Sequence, residues 1–159
     1  MRNLWLSLHP RWAAAILDGR KSVELRRRAP SVESGAEAVL YATSPESQVV
    51  GSAVVEAVVE LPIDMLWDEY RERADISHRD FVGYFAGIDR GAAIELSTVQ
   101  RLDKPIDLGS IREVGLQPAQ GWRYLDENST IAVLGRSPED YGILDCSRRS
   151  IADCAAGSE

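Results

Sequence analysis

Between Val49 and Leu61 the chain alternates apolar and other residues, so that Ala53, Val55, Ala57, Val59 and Leu61 fall on one face. Successive strand side chains point to opposite sides, and this run therefore predicts one long half-buried strand. Just before it, Glu37–Thr43 (EAVLYAT) is almost continuously apolar, the pattern of a central strand covered on both faces, and Ser44-Pro45 ends it. Gly51 marks a bend or bulge near the start of the long strand. Two adjacent strands of this kind commit the chain to a sheet, and the remaining segments must be arranged around it.

Those segments alternate between the two periods. Leu4–Leu8 (LWLSL) reads as a short strand. His9-Pro10 opens a helix, with Trp12, Ala13, Ile16 and Leu17 on its buried stripe and Gly19 as its stop. Ser22–Arg26 reads as a strand, and Glu33, Ser34 and Gly35 as a turn. One helix begins near Pro62 and presents Ile63, Leu66, Trp67 and Tyr70; a second begins at Ser77, with Asp80 as its capping partner and Phe81, Tyr84 and Phe85 inward. Gly91–Val99 is a further strand, broken at Lys104-Pro105, and a loop with short helical turns leads into QPAQGWRYL at 117–125. Thr130–Leu134 adds a last strand, and from Ser137 the chain turns polar and acidic, as expected of a flexible tail. Strand, helix, strands, two helices, strand, without βαβ alternation, predicts an α+β fold: a small, mostly antiparallel β-barrel with peripheral helices. The 159 residues suffice for one domain, expected over 1–125, with 126–159 as a C-terminal extension.

Charge is distributed unevenly. Residues 1–28 carry seven basic and two acidic side chains, a net +5, whereas the rest carries 11 basic and 23 acidic, a net −12. Such asymmetry points to an anionic partner for the basic part. The acidic remainder argues against broad coating of DNA and for a small, focused anion site, and it offers a surface for a protein partner. No run approaches the ~18 apolar residues of a membrane helix, and no secretory signal is read, so a cytoplasmic protein without membrane contact is expected. Cys146 and Cys154 form neither a disulfide framework nor a metal set, and no metal or cofactor is expected.

The basic focus is GRKSVELRRR, Gly19 to Arg28. On a strand, Val23 and Leu25 face a core while Ser22, Glu24 and Arg26 line up on the opposite side. Arg26 can grip a phosphate with its fork and Lys21 as a point charge, with Arg20 and Arg28 in support. Glu24, between cations, is expected to orient them or to accept a hydrogen bond from a ribose or base edge. Aromatic residues on which bases could stack are Tyr41 and Trp122, the latter beside Arg123; Trp5 and Trp12 fit apolar stripes and belong to the core. His9, at the helix start, is the histidine placed to act as acid or base. Ser7 and Ser22 have no visible His–Asp partner for a nucleophilic triad.

The stretch WLSLHPRWAAAILDGRKSVELRRR, with Gly-x-Lys-x-x-Glu-x-Arg at Gly19, Lys21, Glu24 and Arg26, resembles the opening of ASCH domains, members of the PUA-like β-barrel superfamily. YATSP, the strand containing Gly51, LWDEY…SHRDFVGYFAG, DKPI and QPAQGWRYL resemble later parts of the same family, so the likeness runs from about residue 4 to 125. It implies a PUA-like barrel with a cleft beside the first helix, and RNA or a nucleotide-like ligand. It further implies that some relatives are hydrolases: ribonucleases, or amidohydrolases of acetylated cytidine nucleosides. In the amidohydrolases a lysine at the position of Lys21 is the base and a threonine three residues later is the nucleophile. Here that second position is Glu24, whose carboxylate cannot copy a hydroxyl nucleophile. RNA or nucleotide binding is therefore the leading expectation, hydrolysis through Lys21 and Glu24 or Ser22 the alternative, and a regulatory adaptor that binds another protein through its acidic surface and tail the second alternative.

Overall fold

The structure is a computed structural model and describes residues 1–136. Cys146, Cys154 and the acidic tail lie outside the described residues. The elements are β1 (Asn3–Leu8), α1 (Pro10–Leu17), β2 (Val23–Arg26), β3 (Glu37–Ala42), β4 (Gln48–Pro62), α2 (Ile63–Ala74), α3 (His78–Tyr84), β5 (Arg90–Asp107), α4 (Leu108–Glu113), β6 (Trp122–Leu125) and α5 (Glu127–Leu134).

One mixed sheet, in the order β2-β5-β4-β3-β1-β6, curls into a half-barrel. Every neighbouring pair is antiparallel except β1 and β3, which run parallel with Leu6 opposite Leu40. The long alternating run forms β4, which pairs along most of its length with β5, but its apolar residues do not share one face. Register shifts at Ser52/Val54 and Val55/Ala57 leave Ala53 and Val55 in the cluster beneath α1 and turn Val59 and Leu61 towards α2 and α3. Gly51 sits at the register shifts of β4. A Cβ there would stand 2.4 Å from the Gln100 carbonyl oxygen and 2.8 Å from Leu17 Cδ2, so only glycine lets the strand and α1 close up.

Three apolar clusters follow from the curl. Leu4, Leu6, Leu8, Leu40, Val55 and Ile94 fill the concave side beneath α1. Trp5, Val39, Tyr41, Val49 and Ile111 pack on the convex side with Val133 and Leu134 of α5. Val23, Leu25 and Ala93 pack under Leu66 and Tyr70 of α2, Phe81 of α3 and Phe85 just after it. Both faces of β1 are thus covered, which is why all six of its residues are buried.

Three further segments depart from the sequence reading. Lys104-Pro105 does not end the strand: β5 continues to Asp107. Its ladder with β4 jumps from Arg101 opposite Gly51 to Ile106 opposite Val49, so Pro105 lies in an unpaired stretch that needs no N–H donor. Thr130–Leu134 is helical, within α5. Asp126 caps its start by accepting from Ser129 N at 2.7 Å, Gly135 ends it with φ 63, and Thr130, Ile131, Val133 and Leu134 are buried along it. Residues 122–125, left without an element by the sequence, form the edge strand β6 against β1. Among the described residues no helix is long and apolar enough to cross a membrane.

Candidate functional site

Lys21 owes its position to the end of α1. Gly19 takes φ +80, and the N–H groups of Arg20 and Lys21 both return to the Ala15 carbonyl, at 3.0 and 3.1 Å. The turn brings the Lys21 side chain to the last residue of α2, where Nζ donates to the Ala74 carbonyl oxygen at 2.6 Å. A cation at a helix C-terminus is electrostatically favoured there. From Val23 the strand alternates as expected. Val23 and Leu25 enter the cluster under α2 and α3, while Glu24 and Arg26 face the mouth of the half-barrel.

Glu24 stands between two cations. Its Oε1 lies 3.0 Å from Arg26 Nη2 and its Oε2 3.3 Å from Lys21 Nζ. Lys21 and Glu24 are only 4% and 6% exposed. Arg26 Nη2 also donates to the Ser7 carbonyl oxygen at 2.8 Å, so one guanidinium bridges the gap from edge strand β2 to β1. Burial, the largest influence, pushes the Lys21 ammonium below the usual lysine range, against the opposing pull of the Glu24 carboxylate. Lys21 and Glu24 form a buried ion pair. Glu24 Oε2 and Arg26 Nε are both buried and have no hydrogen-bond partner among the described residues. A buried donor or acceptor without a hydrogen bond costs about 1–3 kcal/mol, and both of these belong to residues that line the same pocket.

That pocket, of about 280 Å³, is lined by Lys21, Glu24 and Arg26 together with Ser7, His9, Arg11, Trp12, Ile76, Asp80 and Tyr84. His9 uses Nδ1 to accept from Arg11 N at 3.1 Å and so caps α1. In the neutral ring this assigns the proton to Nε2, which becomes a donor. The Arg11 guanidinium lies 4.0 Å from the centroid of the Trp12 ring, and Lys21 Nζ 4.9 Å from it. Arg11 also reaches Asp80 at 3.6 Å, linking α1 to α3 across the rim through an exposed ion pair. Among the described residues no three His, Cys, Asp or Glu side chains converge as a metal site.

Of the residues singled out by sequence, the structure thus brings His9, Lys21, Glu24 and Arg26 together. The others lie elsewhere. Arg20 pairs with Asp75 at 3.0 Å and Asp18 at 3.4 Å, away from the pocket lining. Ser22 Oγ accepts from Arg73 Nε at 3.1 Å. Tyr41 is buried with its ring 5.1 Å from that of Trp5, because β3 is a central strand covered on both faces; it offers no stacking surface. Trp122 packs in part on the concave core, and its Nε1 donates to the Arg28 carbonyl oxygen at 3.3 Å, with the Arg28 side chain exposed. Arg123, on the other face of β6, donates to the Gln117 carbonyl oxygen at 3.1 Å. The sequence reading missed Arg11, Trp12, Asp80 and Tyr84 as pocket residues. Trp12, Asp80 and Tyr84 were assigned to a core stripe, a helix cap and an inner helix face, and only the docking of α3 over β2 shows their second role.

The family model for the ASCH domain matches residues 6–106. An ASCH domain-containing ribonuclease from Zymomonas mobilis is 35% identical over 127 residues, covering 79% of this chain and 85% of that protein. The crystal structure of ASCH from Zymomonas mobilis superposes with a TM-score of 0.79 at 33% identity, over 84% of this chain and 94% of that one. Human THYN1, solved with 5-methylcytosine-containing DNA, shares the fold alone: 10% identity, TM-score 0.52, over 85% of this chain and 96% of that one. With its PUA-like half-barrel and its Gly19-x-Lys21-x-x-Glu24-x-Arg26 strand entry, this chain belongs to the ASCH domain family.

Proposed function

We propose that the α1–β2 pocket takes a nucleotide of single-stranded RNA and that the protein cleaves RNA there. One observation carries the reading: a buried carboxylate oxygen held only by an ion pair with an ammonium, and a buried guanidinium N–H without an acceptor among the described residues, belong to three residues that line a single pocket. A ribose hydroxyl beside a phosphate satisfies that set, the hydroxyl donating to Glu24 Oε2 and a phosphate oxygen accepting from Arg26 Nε. The ribonuclease name of the Zymomonas relative supports placing cleavage ahead of binding alone.

In this reading the 2′-oxygen attacks the adjacent phosphorus as its proton passes to Glu24 Oε2. The P–O5′ bond breaks, leaving a 2′,3′-cyclic phosphate. The departing 5′-oxygen takes a proton from the Lys21 ammonium, whose lowered pKa makes it a better donor than an ordinary lysine. Arg26 holds the phosphate oxygens while negative charge builds on them. The contact of 3.3 Å between Lys21 Nζ and Glu24 Oε2 returns the proton between the two groups. Glu24 serves as proton acceptor, not nucleophile, which separates this chemistry from amidohydrolysis.

The test is a pair of single strands identical except for one 2′-deoxy sugar. The all-ribose strand should be cut to a cyclic phosphate end, detected by mass spectrometry, and the deoxy position should bind but resist cleavage. A cut at the deoxy position excludes the 2′-oxygen mechanism. Tight binding of both strands with no cut at either leaves a nucleotide-binding module, a second reading favoured by the way Lys21 Nζ is already held on the Ala74 carbonyl oxygen.

A further inference from the structure

At about 280 Å³ the pocket has room for a single nucleotide on this reading, and cations and aromatic rings lie beyond its rim. Arg26 lies at the junction: its Nη1 is 3.8 Å from where a Cβ of Gly121 would be, so the first residues of β6 stand directly beside the pocket. From there the surface runs to Trp122, whose Nε1 is tied to the Arg28 carbonyl oxygen, and on to Tyr124, with ring centroids 5.2 Å apart. Tyr124 is exposed, and the Arg2 guanidinium lies 4.4 Å from its ring centroid. The chain after β2 fastens to the same edge: the Tyr124 hydroxyl accepts from Ser31 N at 2.9 Å, and Arg2 Nη1 donates to the Ser31 carbonyl oxygen at 3.3 Å.

Cations and rings meet along this strip in an acidic protein. Arg2 and Arg28 are exposed, and among the described residues neither lies within ion-pair distance of a carboxylate; Arg27, Arg79, Arg90 and Arg112 share that property, but Arg2 lies against the Tyr124 ring and the Arg28 backbone is tied to Trp122. The two cations flank a pair of adjacent aromatic rings along a path that begins beside the pocket, the combination that holds an unpaired strand by phosphate contact and base stacking. The rings are braced by the loop after β2, so they are ordered before any ligand arrives, which lowers the entropy lost on binding.

We propose that the strip formed by Arg28, Trp122, Tyr124 and Arg2 binds the single-stranded RNA flanking the nucleotide held in the pocket. This rests on the RNA reading of the pocket and adds a direction to it: the strand enters beside Arg26 and leaves along β6. Arg2 and Arg28 contact phosphates, and Tyr124, with the exposed part of Trp122, stacks a base.

Stopped-flow anisotropy, read before turnover, with a labelled RNA trinucleotide and a labelled strand of about 12 nucleotides separates the two claims. For Arg2→Gln/Arg28→Gln, affinity for the longer strand should fall about 3–10-fold at low salt, and the slope of log K against log salt should shrink by about 1.4, near 0.7 for each lost phosphate contact. Trinucleotide affinity should stay unchanged. Arg71→Gln/Arg112→Gln, which removes two exposed cations elsewhere, should leave both affinities near wild type. Circular dichroism confirms that each variant is folded. The strip proposal is overturned if the variant binds the longer strand with wild-type affinity and slope, if both RNAs weaken equally, or if the control pair has the same effect. Wild-type protein that binds neither RNA overturns the pocket reading itself.

Discussion

Glu24→Gln is the substitution that asks most of the site. The side chain keeps its volume but loses its charge. Two cations, Lys21 Nζ and Arg26 Nη2, now 3.3 and 3.0 Å from its carboxylate oxygens, would then lie buried without an anion between them. Removing one member of a buried ionic set costs about 3–5 kcal/mol, because the remaining charges stay desolvated. Against a total stability of about 5–15 kcal/mol the protein should still fold, with its melting point lower by roughly 10–15 °C for a chain of this size. Lys21→Met in the same background removes one of the two facing cations. The double variant should therefore be more stable than the sum of the single losses by about 1–3 kcal/mol. Urea unfolding of the four proteins at neutral pH measures this. Kinetics of RNA cleavage measures the other half: glutamine still accepts a hydrogen bond but cannot carry the proton, so kcat should fall about 10²–10⁴-fold with little change in KM. Stability losses that add within about 0.5 kcal/mol, or cleavage that survives Glu24→Gln, would refute the reasoning, since neither a shared ionic network nor a carboxylate proton acceptor would then exist.

Other perturbations follow from the same structure. Lys21 has a folded-state pKa below its ordinary 10.5, so the unfolded chain binds its proton more tightly. The resulting penalty is full below the folded pKa and relieved as pH rises towards 10.5; Lys21→Met should flatten that rise in a pH series of urea midpoints. Tyr70 behaves oppositely. Burial first, then its hydrogen bond to Glu95 Oε1 at 2.7 Å, pushes its pKa up to about 12 from 10.0, so its contribution is intact below pH 10 and lost between 10 and 12. Tyr70→Phe should remove about 1–2 kcal/mol at neutral pH, the worth of its hydrogen bond to the Glu95 carboxylate, and most of the alkaline sensitivity, read by calorimetry across that window. Gly51→Ala should destabilise by about 1–3 kcal/mol, because the added methyl meets backbone at Gln100 as well as Leu17; a neutral melting curve would show that β4 and β5 can part there.

Legibility in the sequence tracked how local each determinant is. The split of Val23 and Leu25 from Glu24 and Arg26 is a property of one short strand and came out as read, whereas the alternation from Val49 to Leu61 gave the strand but not its faces: the register shifts of β4 leave Ala53 and Val55 in one cluster and Val59 and Leu61 in another. The start of α1 at His9-Pro10 and its stop at Gly19 are likewise written in adjacent residues. What failed depends on partners. WRYL is a strand only because β1 offers an edge, and Pro105 is tolerated only because β5 has a surplus there. Ile131 and Val133 alternate like a strand, yet the Asp126 cap and Gly135 stop enclose a helix. Tyr41 was placed on a ligand surface by its position before a turn, and the sheet order alone reveals that its ring is walled in by Trp5. Asp80 and Tyr84 reach the pocket from α3, which lies more than fifty residues beyond β2 in the chain.

Arginine side-chain NMR, following each Nε–H signal as single-stranded RNA is added, tests most directly whether ligand enters at the buried trio. The Arg26 Nε–H, which has no acceptor among the described residues of the free protein, should move downfield and become protected from exchange at the lowest RNA ratios. If RNA binds and shifts other arginines while the Arg26 signal stays fixed, the ligand is not in this pocket, and the assignment of the site to RNA is wrong.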